Sequence, residues 1–498
     1  MKAKSGLKRC ITLIAVWVIS IFCSNIVAHA QFSTDTLVND DNTEFNQFIH
    51  NGIPSVAIHG NTVFATWLDA RAGATTGDTA RDVYFARGTM DADGKVTFGA
   101  NVRVNDTDQS AYSDWTAAPS IAVASDGTIF IVWKDNRDET GLADSQGNSI
   151  YLARSVDGGV SFLANQKMDI LPSTEVYLHR RSPRVAAANG YVYVTFGKGL
   201  QSSLEMAISN DNGASFGSVQ ESLSIPADDS VIAADGSYLY IGYISTKSQG
   251  VGLPTKQEVI LYISSDYGQT FGSQVVINDD APTDPADEKN KEHLSIAASG
   301  ENLYLAWRDD RNSTGSGGQY VYGAVSHDQG ATFGPNIMLS PDQSNIDGTS
   351  ADNRWAPSIT ASGDMAAVSY HGKLNDYQSV IARISSNKGV TWTDEMMVSD
   401  TFSRPAIGPS SIAVNSSMAC VLWEAGGEWV GDIGTGDNMY ASGYMFGTPS
   451  QPECPSGVPE FDSSTSELTL PSVCIDGVYY DGEIKLMLDF NNMTFQLK

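Results

Sequence analysis

Ser264-Ser265-Asp266-Tyr267-Gly268-Gln269-Thr270-Phe271 is a tight turn spelled out in residue types, and the chain repeats it. The same frame reads Ser155-Val156-Asp157-Gly158-Gly159-Val160-Ser161-Phe162, Ser209-Asn210-Asp211-Asn212-Gly213-Ala214-Ser215-Phe216 and Ser326-His327-Asp328-Gln329-Gly330-Ala331-Thr332-Phe333. A variant, Ser385 to Trp392, has Asn387 in the Asp position, and a stretched form, Met90 to Phe98, opens the series. The pattern is S-x-D-x-G-x-[ST]-[FW]. Its Asp accepts hydrogen bonds from backbone N–H groups just ahead. Its Gly supplies a positive φ, and its Ser or Thr adds a second local bond. The aromatic residue starts the outgoing strand and can pack between sheets. Each copy is therefore a self-locking β-hairpin tip.

A second repeat accompanies the first. Pro54-Ser55-Val56-Ala57-Ile58 precedes Thr62 to Trp67, and Pro119-Ser120-Ile121-Ala122-Val123 precedes Thr128 to Trp133. Echoes begin at Pro183, Ser230, Leu294, Pro357 and Pro409, with second strands ending near Phe196, Tyr243, Trp307, Tyr370 and Trp423. That makes seven units, each of strand A, strand B ending in an aromatic, strand C, the turn, and strand D. A spacing of roughly 45–65 residues fits propeller blades with loop insertions. The seventh unit has no turn and no strand D after Asn438 to Tyr444. Asp35 to Asp40 stands before the first unit and resembles the strand-D stretch Asn101 to Asp106. The N-terminal stretch is thus expected to complete the last blade, which removes two exposed sheet edges at once. The expected fold is all-β: a seven-bladed β-propeller of four-stranded antiparallel blades, plus a small C-terminal β appendage.

Three segments follow. Residues 1–30 read as a signal peptide: Lys2, Lys4, Lys8 and Arg9, an apolar run from Ile11 to Phe22, then Ala28-His29-Ala30. Residues 31–448 form the propeller. Residues 449–498 form a β module, with Cys454 and Cys474 suited to a disulfide in an oxidising compartment. Cys420, in an apolar run, reads as a buried thiol. The protein is expected to be secreted, periplasmic or on the cell surface, with no membrane insertion after leader removal, and monomeric. Its net charge of −28 excludes nucleic acid and anionic membranes as general partners. A local cluster of arginines can still hold an anion.

In a propeller the B–C and D–A loops open on one face, around the channel. The B–C positions carry a third repeat: Trp67-x-Asp69-x-Arg71, Trp133-x-Asp135-x-Arg137 and Trp307-x-Asp309-x-Arg311. Because it recurs, it reads as structural, pairing within itself or with a neighbouring blade. Tyr370-His371-Gly372-Lys373, Trp423-Glu424 and Phe196-Gly197-Lys198 break it. The D–A positions carry Tyr112, Asp114, Trp115, His179, Arg180, Arg181, Arg184, Glu292, His293, Arg354, Trp355 and Arg404. Guanidinium groups gathered at a channel mouth bind a carboxylate bidentately.

The S-x-D-x-G-x-[ST]-[FW] turns resemble the Asp-box, or BNR repeat, of the sialidase-like β-propellers. The resemblance covers the blades and is specific for architecture rather than chemistry. Sialidases have six blades as a rule, so seven is a departure. That family grips the sialic-acid carboxylate with three arginines and uses a Tyr nucleophile, a Glu helper and an Asp acid/base. The resemblance implies Arg181, Arg354 and Arg404 as the arginine set, Tyr370 and Glu424 as nucleophile and helper, and Asp114 as the acid. The family's Phe/Tyr-Arg-Ile/Leu-Pro motif is met only by Arg180-Arg181-Ser182-Pro183, without the aromatic or branched residue. His293, Trp115 and Trp355 complete the expected substrate contacts.

The resulting expectation is a sialidase-like hydrolase acting on acidic glycan. Two alternatives stand beside it. One is a polysaccharide lyase on uronate polymers, which needs a Tyr or His base and an Arg that neutralises the uronate carboxylate; His179 or His293 with Tyr112, Tyr177 and Arg181 are the candidates for those roles. The other is a non-catalytic binder with Trp115 and Trp355 as sugar platforms. No cofactor is expected. Asp279, Asp280 and the run Asp284 to Glu288 could hold Ca²⁺ or simply be solvated charge.

Overall fold

The computed structural model describes residues 32–40, 54–69, 71, 81–107, 118–137, 149–168, 180–198, 203–223, 225, 230–248, 255–280, 290–312, 320–340, 356–374, 377–399, 406–425, 438–446, 460–462, 467–475, 478–489 and 494–497. Phe32–Phe446 is one compact unit; Gly447–Lys498 belongs to another.

The first unit is a seven-bladed propeller. Blade one has strands A–D at Ser55–His59, Thr62–Asp69, Asp82–Met90 and Val102–Arg103, and blade two at Ser120–Val123, Ile129–Asp135, Ser149–Ser155 and Gln166–Lys167. Blade three follows at Arg180–Ala188, Tyr191–Lys198, Ser203–Ser209 and Gln220–Leu223. Blade four takes Val231–Asp235, Tyr238–Ser248, Thr255–Ser264 and Val275–Val276. Blade five is Lys291–Ser299, Asn302–Asp309, Tyr320–Ser326 and Ile337–Met338. Blade six is Ser358–Ser362, Met365–Leu374, Tyr377–Ser385 and Met396–Met397. Blade one adds a fifth strand, Val96–Phe98, on strand C, because its stretched turn is long enough to pair before the chain returns.

Blade seven is built from both ends of the unit. Ala406–Val414, Met418–Ala425 and Asn438–Met445 are its strands A to C, and Thr36–Leu37 is its strand D. Thr36 stands opposite Ala441 and Leu37 opposite Tyr440. Ser33 N donates to Gly443 O at 2.8 Å and Val38 N to Met439 O at 2.9 Å. Asn39 locks the register: its Oδ1 accepts from Met439 N, and its Nδ2 donates to Asn438 Oδ1.

Each strand A touches the strand A of the next blade, in order around the ring and back from seven to one. The serine of the Pro-Ser-Ile repeat staples these contacts. Its Oγ accepts from the next blade's backbone at Ser55–Ile121, Ser120–Val185, Ser295–Ile359, Ser358–Ile412 and Ser411–Val56, at 3.0 to 3.3 Å. Strand alternation sends the strand-B aromatic into the preceding blade. Trp67 packs with Leu422, Met439 and Ala441 of blade seven, and Trp133 with Phe64 and Phe85 of blade one. Trp307 packs with Leu261 of blade four, and Tyr370 with Ala306 and Val321 of blade five.

The repeated C–D turns share one hydrogen-bond plan. In Ser209 to Phe216, Ser209 Oγ donates to Asp211 Oδ1 and accepts from Gly213 N. Asp211 then takes Ser215 N on Oδ1 and Ser215 Oγ on Oδ2. The same set recurs at Asp157, Asp266 and Asp328. These donors hold the carboxyls of Asp157, Asp266 and Asp328 down at about 2. Asn387 supports the same turn without charge.

The W-x-D-x-R repeat is an inter-blade clasp. In each copy the Trp indole donates to the Asp carboxylate at 2.8 to 2.9 Å, and the Arg returns to the same Asp through backbone and guanidinium. The Arg then reaches the preceding blade. Arg71 binds Asp40, Arg137 binds Asp106, and Arg311 binds Asp279. Its guanidinium lies over Tyr84, Tyr151 or Tyr322 at 3.9 to 4.2 Å. Asp279 and Asp280, at the start of the Asp-rich loop, are thus engaged by Arg311 and Lys291. The rest of that loop lies outside the described residues.

In the second unit Glu460–Asp462, Glu467–Ile475, Val478–Asp489 and Thr494–Leu497 form one antiparallel sheet in chain order. Cys474 is opposite Tyr479. Cys454, and with it the expected disulfide, lies outside the described residues.

Candidate functional site at the channel mouth

The seven strands A line a central cavity of about 610 Å³. Its wall is mostly Ala, Ser, Val and Ile, as the Pro-Ser-Ile-Ala repeat requires. Three charged or titratable side chains interrupt it: Arg184, Glu292 and His293. All three lie where strand A begins, the end that the D–A segments enter.

Local backbone geometry puts them there. Strand A of blades three, five and seven is extended and carries a register shift before the repeat, at Arg181/Arg184, Glu292/Ser295 and Ala406/Ser410. In two of these bulges a non-glycine residue adopts a left-handed conformation: Ser182 with φ 51° and His293 with φ 55°. Each costs about 1–2 kcal/mol. Strain of this kind is concentrated at functional sites. Both residues face the cavity.

Burial pushes the His293 imidazole down to about 4; the Arg308 guanidinium pushes it the same way and Glu292 opposes them. His293 is therefore neutral at neutral pH. Glu292 Oε2 meets Arg308 Nη2 at 2.7 Å across the strand pair. Burial lowers Arg308 as well, with Glu292 and Asp310 opposing, and the guanidinium stays charged. On blade three Arg184 Nη1 donates to Pro183 O at 3.0 Å. The mouth thus holds a neutral imidazole and the Arg184 guanidinium, and Glu292 ties the Arg308 guanidinium to it from behind the cavity wall.

The other expected residues fall differently. Tyr370 is fully buried between blades five and six. Its phenol donates to Glu395 Oε1 at 2.6 Å, and its oxygen lies 3.1 Å from Leu339 O. Burial first, then Glu395, raises it well above the ordinary phenol range. It is paired with Glu395 rather than Glu424. Glu424 is buried in strand B of blade seven, where its charge and that of Asp69 bear on Arg81 across the ring closure. Arg181 stands at the start of strand A of blade three, opposite Gly197. Asp114, Trp115, Arg354, Trp355 and Arg404 lie outside the described residues, as do His179, Tyr112 and Tyr177.

Sequence reasoning passed over Arg308 because it occupies the x of W-x-D-x-R. That position alternates away from the Trp and packs toward the following blade. Its occupants are Leu68, Lys134, Gly197, Ile244, Arg308, His371 and Glu424. A charge where strand alternation demands burial was the available signal. Among the described residues no cluster of three His, Cys, Asp or Glu side chains is arranged to hold a metal ion.

No protein-family model and no curated protein matches the chain. Similar solved structures include a Hadza microbial sialidase (13% identity, 74% of this chain and 74% of that one, TM-score 0.40). A polysaccharide lyase is 10% identical over 78% of this chain and 89% of that one, with TM-score 0.47. An α-L-arabinanase of Penicillium chrysogenum, complexed with arabinobiose, is 13% identical over 66% and 92%, with TM-score 0.39. The likeness is one of fold. The seven-bladed ring itself stands on the strand pairing of this chain.

Proposed function

We propose that this chain is an exported propeller that acts on an acidic glycan at the channel mouth, with His293 as general base of a β-elimination. The observation that carries this is His293: strained, facing the cavity, and unprotonated at neutral pH beside a guanidinium. A base must be deprotonated and within reach of the proton it takes. A uronate carboxylate bound alongside raises the imidazole's proton affinity, as a neighbouring negative charge does. The balance is simple. His293 takes the C5 proton, the electron pair forms the C4=C5 double bond, the C4–O bond breaks, the leaving oxygen takes a proton from water, and the imidazolium returns its proton to solvent. Arg184 and Arg308 are the described guanidiniums that can neutralise the uronate carboxylate. Export rests on the Met1 to Ala30 leader.

Sialidase-like hydrolysis is the second reading. Arg181, next in sequence to the cavity-lining Ser182, favours it, together with the Asp-box turns. The buried Tyr370 cannot serve it as nucleophile, so another group would have to. Incubation of the mature chain with a panel of uronate polymers and a fluorogenic sialoside separates the two. Appearance of the ultraviolet band of an unsaturated uronate, lost in His293→Ala, is the expected result. Release of the fluorophore instead, undiminished in His293→Ala, favours hydrolysis. Silence with both, alongside retention on acidic glycan, leaves a binder and sinks both enzyme readings.

A further inference from the structure

Glu292 and Arg308 are unequal partners. The Arg308 side chain is 10% exposed, the Glu292 side chain 42%. Arg308 Nε is buried and has no hydrogen-bond partner among the described residues. Glu292 lines the central cavity, while Arg308 does not. A buried guanidinium behind the cavity wall is therefore ion-paired with a carboxylate that solvent reaches, with the Asp310 charge also bearing on it. An uncompensated buried charge is strongly destabilising, so Arg308 needs an anion there at all times. Nothing requires that anion to be Glu292. Its side chain leaves a bulged segment whose next residue is His293, so it can turn toward solvent without breaking a regular strand pair.

We propose that Glu292 is a built-in stand-in for the ligand's carboxylate. The incoming acid displaces it from Arg308, binds the guanidinium by a charge-assisted pair, and brings the sugar ring over His293. This rests on the acidic-glycan reading above and adds the position of the carboxylate and the residue that competes for it. It makes selection for acids a matter of exchange: a neutral sugar cannot replace Glu292, because Arg308 would be left buried and unpaired. Glu292 is here a specificity-determining residue, not a catalytic one.

The test is calorimetric titration of the mature chain with D-glucuronate and N-acetylneuraminate, with methyl glucuronate ester as uncharged control. Glu292→Gln removes the competing charge and keeps the shape. It should lower the melting temperature of the free protein and bind the acids at least about tenfold tighter, with no change toward the ester. Arg308→Gln should lose the acids. If Glu292→Gln proves too unstable, Glu292→Asp, whose shorter carboxylate retreats from Arg308, should give a smaller gain of the same sign. Acid binding by the wild type with no gain in either variant overturns the stand-in and leaves the acidic-glycan reading intact. No acid binding by wild type or any variant overturns both.

Discussion

Gly213 has φ 72°, and a Cβ there would collide with the ring of Phe130 in the preceding blade. Gly190 has φ 80° and open space around it. The two separate backbone strain from packing. Gly190→Ala should cost about 1 kcal/mol, the price of a left-handed non-glycine residue. Gly213→Ala should cost about 2–4 kcal/mol, because overpacking adds to that strain. Urea denaturation of the two variants against wild type checks the difference. A second residue-scale effect is acid sensitivity. Burial alone pushes fully buried His371 from 6.5 to about 4. Its folded-state value is the lower one, so the unfolded chain binds the proton first. The stability linked to it is present above pH 6.5 and is lost as pH falls to about 4, on the order of 3 kcal/mol. The turn aspartates act lower, as pH falls from 3.8 through about 2. The denaturation midpoint should therefore fall between pH 7 and pH 4 in wild type, and less steeply in His371→Gln. Equal slopes would show that the imidazole is not what titrates.

At the scale of elements the clasp is the unit that matters. Asp135 is fully buried and holds Trp133 and Arg137 together, while Asp106 is 48% exposed at the rim. Asp135→Asn should destabilise by about 3 kcal/mol, since it leaves a guanidinium short of its buried counter-charge. Asp106→Asn should cost under about 1 kcal/mol and less still in high salt, as exposed pairs do. Melting curves at two salt concentrations distinguish these roles, and equal losses would contradict them. The clasp was legible in the sequence because it recurs; a catalytic group has no reason to appear three times. Its partners were not legible. Asp40, Asp106 and Asp279 sit 31 or 32 residues before their arginines, and only blade-to-blade packing makes them neighbours. The Pro-Ser-Ile repeat was equally visible, yet its serine is a staple only because successive strands A meet at the axis.

At the scale of the whole molecule, stability depends on closing the ring. Removing residues 32–40 strips blade seven of its outer strand and exposes the edge of Asn438–Met445. An unpaired edge strand is a template for aggregation. The truncated chain should melt lower and run as aggregates on size exclusion. Asn39→Ala, which loses the bonds to Met439 and Asn438, should show a milder form of the same defect. A monomeric truncation with unchanged melting would mean that the ring closes without the N-terminal strand. The seven units, their strand order and the shared last blade follow from the sequence alone. They are local hydrogen-bond chemistry and strand alternation repeated, and repetition makes local signals add. The content of the channel mouth is different. Tyr370 looks like a nucleophile in one dimension and is an inter-blade strut in three, because strand alternation aims its phenol at blade five. Glu292 and His293 were legible as a pair entering the channel mouth, but Arg308 joins them only through the strand pairing that sets it opposite Glu292, beside the bulge between Glu292 and Ser295. Which side chain meets the cavity is set by that local departure from the pleat, and only the tertiary structure decides it.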